Sequence, residues 1–262
     1  MSTGLNRILS SALPSGDERV NVHPDVEAWR RHTVRLDRAR LVENGIFGFD
    51  NLDPRAQSFV FLRWQLLNGF VRSGGRVIAV TSTRPGDGKT FITTNLAAAL
   101  SRVRPTVLLD LDLRRPAVGW RFGLSAAAGI DDYLSGGADA WDVVQNVEDM
   151  NLGIVPVRVP QPQSPELLTV ETLPQLLSAL RGRSDDPICL IDTPPVLVVD
   201  DILLFAQHLD GVLLVVEEGK TRADEVREAL RLMEAIPLVG TVLNRSIFSG
   251  RRRDFDQSYY YR

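Results

Sequence analysis

Three short stretches hold the residue types that could do chemistry. The first is Thr83-Arg84-Pro85-Gly86-Asp87-Gly88-Lys89-Thr90, preceded by the β-branched run Val77–Ser82 and followed by the helix-forming FITTNLAAALS. An anion held in a tight turn needs inward-pointing backbone N–H groups, glycines where a side chain would block its approach, and a helix N-terminus facing it. Gly86 and Gly88 meet the second need, and the strand-turn-helix context supplies the third. The octet matches the phosphate-loop pattern GxxxxGK[ST] with Thr83 in place of the first glycine. In that pattern Lys89 bridges β- and γ-phosphate oxygens and the Thr90 hydroxyl ligates magnesium. The second stretch, LLDLDLRRP, sets Asp110 and Asp112 two apart at the end of a strand, on one face, where both can serve a magnesium ion or a nucleophile beside it; Arg114 lies on the same side. The third, ICLIDTPP, ends a buried apolar run on Asp192, the Walker B arrangement, in which the acid holds magnesium directly or through water.

These stretches need a scaffold, and the pattern predicts one. Continuous apolar runs at 77–82, 106–111, 152–157, 188–192, 211–217 and 238–244 alternate with helical segments. Runs without polar alternation are strands covered on both faces, which predicts an α/β, doubly wound, mainly parallel sheet with ligands beyond the carboxyl ends of its strands. The chain divides into a flexible leader over 1–25, an N-terminal helical extension over 26–75 with helices at Glu27–Leu41 and Gln57–Val71, the phosphate-loop domain over 76–245, and a tail over 246–262.

Composition narrows the class. With 262 residues, 44% hydrophobic and 24% charged, the chain is globular, and a net charge of −3 gives no reason to expect nucleic acid as a partner. The one cysteine, Cys189, excludes an intramolecular disulfide and any multi-cysteine metal site; His23, His32 and His208 have no ligand spacing. No apolar run approaches the ~18–20 residues that cross a bilayer, which predicts a cytoplasmic chain. Two inventories are lopsided: Lys89 and Lys220 are the only lysines, and three of four tyrosines, Tyr259, Tyr260 and Tyr261, stand together near the C-terminus.

Together PGDGKT, DLDLR and IDTPP resemble the bacterial tyrosine autokinases that accompany capsule and exopolysaccharide synthesis, within the ParA/MinD superfamily of phosphate-loop ATPases. The resemblance runs from about Leu41 to Arg262 and includes SPELL (164–168), VLVVDD (196–201), DGVLLVVEEGKT (210–221) and GTVLN (240–244). The segment VRLDRARLVENGIF (34–47) resembles the subgroup found with exosortase-type polysaccharide loci. The resemblance implies ATP and Mg2+ as cofactors, residues 83–90 round the phosphates, and Thr90, Asp112 and Asp192 at magnesium. It further implies Asp110 as base for a tyrosine hydroxyl, Asn244 against adenine, and Tyr259, Tyr260 and Tyr261 as phospho-acceptors. As partners it implies a membrane co-polymerase whose cytoplasmic segment activates the kinase, other copies of the chain phosphorylated in trans, and a cognate tyrosine phosphatase, all at the inner face of the plasma membrane. The 18 residues from Asn244 to Arg262 span at most roughly 60 Å, enough to enter a neighbouring subunit's site.

Two departures stand out. Arg84 occupies the position of the signature lysine of partition ATPases, and Gln57, Val60 and Arg63 occupy the family's ExxRxxR oligomerisation motif, leaving a buried Arg63 without its acid. An ATPase switch that positions a polysaccharide assembly, and a nucleotide-binding adaptor without catalysis, stay as alternatives.

Overall fold

In the computed structural model, which describes residues 31–169 and 171–246, the six apolar runs become strands of one eight-stranded sheet. In chain order the strands are β1 (Thr33–Val34), β2 (Val77–Ser82), β3 (Thr106–Asp110), β4 (Gln145–Val147), β5 (Leu152–Val155), β6 (Ile188–Asp192), β7 (Gly211–Glu217) and β8 (Leu238–Asn244). Their spatial order is β1-β4-β5-β3-β6-β2-β7-β8, parallel throughout except for the β4–β5 pair. The helices are α1 (Arg38–Glu43), α2 (Gln57–Leu66), α3 (Lys89–Ser101), α4 (Val118–Phe122), α5 (Ile130–Leu134), α6 (Ser164–Leu168), α7 (Thr172–Arg181) and α8 (Ala223–Leu232). Among the described residues no helix is long and apolar enough to cross a membrane. Tyr259, Tyr260, Tyr261 and the leader over 1–25 lie outside the described residues.

The strands are apolar on both sides because both sides are covered. Val77 and Ala79 of β2 pack into a core with α7 and α8, whereas Ile78 and Val80 face a second core built with α2 and α3. The parallel register sets Val80 opposite Asp192 of β6, and Asp110 of β3 also opposite Asp192, so three neighbouring strands end together beneath the phosphate loop.

The N-terminal segment departs from its expectation. Where a helix was expected over Glu27–Leu41, Thr33–Val34 is a strand paired in parallel with β4, and helix begins only at Arg38. Val34 and Leu36 alternate towards the core, and Asp37 accepts from Ala39 N at 2.9 Å as an N-cap, so one apparent stripe is two elements. The second expected helix, Gln57–Val71, is α-helical to Leu66 and finishes as a π turn over Leu67–Val71. The segment shares its core with the sheet. Leu41, Ile46, Phe59, Leu66 and Val71 belong to the same core as Ile78 and Leu108. Asn95 of α3 fastens it, accepting from Phe47 N at 2.7 Å and Gly48 N at 3.1 Å and donating to Gly45 O at 2.8 Å.

Candidate active site

The turn between β2 and α3 is built from its own side chains. Asp87 turns its carboxylate inward and accepts from Thr83 Oγ1 at 2.8 Å and Arg84 N at 3.0 Å, while Ser82 Oγ donates to Arg84 O at 2.8 Å. Thr83, standing where the pattern has glycine, is therefore a fully buried strut of the loop. Gly86 and Gly88 have φ of +92° and +98°, the left-handed region that glycine enters without strain. A Cβ at Gly86 would meet nothing within 4 Å, so that face is clear for an incoming anion. The first turn of α3 carries no acidic residue and no side-chain cap, which leaves its leading N–H groups to a ligand.

Below the loop the acids and the lysine converge. Lys89 Nζ lies 2.7 Å from Asp112 Oδ2 and 3.5 Å from Asp192 Oδ2, and donates to Thr90 Oγ1 at 3.1 Å. Burial works against the Lys89 charge, but Asp192 and Asp112 outweigh it and hold the ammonium above its usual range. Thr90 donates to Asp192 Oδ2 at 2.6 Å and Thr93 donates to Asp192 Oδ1 at 3.0 Å, so the fully enclosed Asp192 has both oxygens satisfied by hydroxyls. Burial still raises its proton affinity, with Lys89 opposing. The sequence reading missed Thr93; its signal was the spacing from Thr90, three residues along one helix face.

Asp110, like Asp192, is fully enclosed. Its Oδ2 accepts from Ala117 N at 3.1 Å and Val118 N at 3.0 Å, its Oδ1 from Asp112 N at 3.2 Å, so it fixes the start of α4 and the turn that carries Asp112. Burial, and after it the Asp192 charge, push its carboxyl up to about 8. Among the described residues no three His, Cys, Asp or Glu side chains converge as a metal cage. The donor set instead fits magnesium, which is held by one or two carboxylates and completes its shell with hydroxyl, water and phosphate oxygens. Thr90 Oγ1, Asp112 and Asp192 are the oxygens that would hold it, and residues 83–90 the loop that would hold the phosphates.

The remaining predicted positions fall as follows. Asn244, at the end of β8, reaches the loop: its Nδ2 donates to Asp87 O at 2.8 Å and its Oδ1 accepts from Arg245 N at 2.9 Å. Arg84 is paired within its own chain, with Glu225 of α8. Arg114 Nε stands 3.7 Å from Asp201 Oδ2. Arg63 is half-buried, and its guanidinium donates to Ala99 O at 2.9 Å near the end of α3, so a helix C-terminus serves it where the family motif would offer an acid. Tyr133 is packed, donating to Thr172 O at 3.0 Å, with burial raising its phenol.

No family model matches the chain. It is 30% identical over 245 residues to EpsB of Ralstonia nicotianae, which is 92% of this chain and 31% of EpsB, so it spans about a third of that relative's length. It is 30% identical over 174 residues to the tyrosine-protein kinase CpsD of Streptococcus agalactiae serotype III, covering 65% of this chain and 74% of CpsD. Among solved structures, the kinase domain of VpsO aligns with a TM-score of 0.65 and 31% identity over 79% of this chain and 97% of that one. The septum site-determining protein MinD of Pyrococcus horikoshii, complexed with Mg-ADP, aligns with a TM-score of 0.56 and 25% identity over 67% of this chain and 72% of that one. A phosphate loop on a mainly parallel sheet, acids at the ends of the adjoining strand β6 and of β3 next to it, and this likeness over most of CpsD leave one conclusion: the chain belongs to the bacterial tyrosine-protein kinases, on a MinD-like phosphate-loop fold.

Proposed function

We propose that the chain is an ATP- and magnesium-dependent protein-tyrosine autokinase, that its acceptors are Tyr259, Tyr260 and Tyr261 of another copy, and that it serves capsule or exopolysaccharide synthesis or export. The observation that carries this reading is the convergence of Lys89, Thr90, Asp112 and Asp192 beside the N-terminus of α3. Lys89, a compact ammonium already held among oxygens, exchanges Asp112 for phosphate oxygens with little movement. That exchange frees Asp112 to join Asp192 and Thr90 Oγ1 around a cation. Magnesium bound there supplies charge neutralisation at the terminal phosphate.

A phenol of pKa about 10 is a weak nucleophile at neutral pH and needs a base. Asp110, lifted to about 8 by burial, is a carboxylate whose proton affinity is brought towards that of the phenol. Its oxygens also hold the turn at 112–118, so a shift of that turn is what exposes it to a substrate hydroxyl. In the balanced step the phenol oxygen bonds to the γ-phosphorus, the bond to the ADP oxygen breaks, and the phenol proton passes to the carboxylate.

The acceptor tail, the trans geometry, an activating membrane co-polymerase segment, a cognate phosphatase and a place at the inner membrane face belong to the same proposal. The pairing of Arg84 with Glu225 in its own chain favours the kinase over a partition-type switch, which needs a cation reaching across to a second subunit. The test is incubation with γ-labelled ATP and magnesium, with and without the co-polymerase segment, of wild type, Lys89→Met and a Tyr259–Tyr261 triple Phe variant. Label on the wild-type tail alone is the expected result. Released phosphate with unlabelled protein would show an ATPase, and equal labelling of the triple Phe variant would refute the acceptors.

A further inference from the structure

The side chain of Asn244 does something the adenine contact does not require. Its Nδ2 donates to the Asp87 carbonyl at 2.8 Å and stands 2.1 Å from where a Cβ on Gly88 would lie, so it rests against the Asp87–Gly88 peptide. No cis peptide bond occurs among the described residues. In a trans peptide the C=O and N–H point to opposite sides, so drawing the Asp87 oxygen towards β8 turns the Gly88 N–H away from β8. Gly88 at φ +98° has a backbone that no side chain of its own constrains, and its neighbour begins the helix that faces the anion. The rest of the loop is held from within by Ser82, Thr83 and Asp87. Asn244 comes from another strand, and its Oδ1 is occupied by Arg245 N at 2.9 Å, which fixes the amide so that Nδ2 faces the loop.

We infer that Asn244 is a positioning residue for the phosphate loop: it sets the Asp87–Gly88 peptide so that the Gly88 N–H is oriented for phosphate before any ligand arrives. This rests on the nucleotide-binding reading above and reassigns Asn244 from the base to the phosphates. A contact with adenine and a strut under the phosphates differ in one measurable respect. The strut acts on any polyphosphate, whether or not a base is attached.

The experiment is calorimetric titration of wild type, Asn244→Ala and Asn244→Asp with ATP, GTP and inorganic tripolyphosphate, all with magnesium. Each variant lacks the amide donor; the aspartate keeps its shape but adds a charge that repels phosphate by itself, so the uncharged alanine carries the test and the aspartate is expected to bind still more weakly. Loss of one hydrogen bond predicts ~5- to 10-fold weaker binding, by the same factor for all three ligands. Weakened ATP with unchanged tripolyphosphate would overturn the strut while leaving nucleotide binding intact, and so would unchanged affinity throughout. A wild type that takes ATP but not tripolyphosphate also counts against it, since a loop set in advance must grip phosphates alone. A wild type that binds neither overturns the nucleotide reading itself. Melting curves without ligand identify a variant that has not folded; if Asn244→Ala fails this check, the uncharged, near-isosteric Asn244→Leu is read in its place.

Discussion

Lys89 is only slightly exposed and stands against two carboxylates, Asp112 at 2.7 Å and Asp192 at 3.5 Å. Replacing it with methionine leaves those acids enclosed without their cation, and breaking a buried pair from one side costs about 3–5 kcal/mol. Lys89→Met is therefore expected to lower stability measurably in urea denaturation without nucleotide, as well as to abolish labelling. An unchanged urea midpoint would show that the acids neutralise themselves by taking up protons. The residue types at this site were legible because each is demanded by chemistry at a fixed spacing: Gly86, Gly88, Lys89, Thr90, Asp112 and Asp192. What stayed hidden is how each is satisfied. The sequence alone does not show that Asp87 folds back onto Thr83, that Thr93 shares Asp192, or that Asp110 holds the start of α4, because those partners meet only through tertiary packing.

At the level of elements, α2 and α3 show how a helix end can satisfy a half-buried arginine. Arg63 donates to Ala99 O, one of the carbonyls that a helix C-terminus leaves unpaired, and its charge suits the negative end of the helix dipole. Burial, with repulsion from Arg102 adding to it, lowers its guanidinium, which marks a site that tolerates the charge for the hydrogen bond it makes. Arg63→Ala is expected to cost about 1.5–3 kcal/mol in urea denaturation, from one hydrogen bond to a charged group. A change confined to oligomeric state, with stability untouched, would return Arg63 to an intersubunit role. The long strands β2, β3, β6, β7 and β8 were readable because each is an unbroken apolar run bounded by turn residues. β1 and β4 were not: Thr33–Val34 and Gln145–Val147 have two and three residues and owe their conformation to each other and to β5.

Across the whole molecule the two cores meet at the sheet, and Cys189 sits in its centre at 1% exposure. Burial pushes its thiol up to about 12, so almost none of the reactive thiolate exists at pH 8. The native protein is expected to resist a thiol-exchange reagent at pH 8 and to take up one equivalent only as it unfolds, making Cys189 an internal reporter of global opening. Rapid labelling under native conditions would mean that the sheet opens locally at β6. The parallel pairing of Thr33 with Asn146 has a further effect, on the order of assembly. A contact that spans more than a hundred residues of chain cannot be made early, because closing so long a loop is rewarded only after β4 has a partner in β5. The N-terminal strand is thus the last to join its side of the sheet, and once there it covers an edge of β4 that would otherwise offer unpaired backbone to a passing strand. Its two residues act as a guard against edge-to-edge association, set in place when the rest of the sheet is complete.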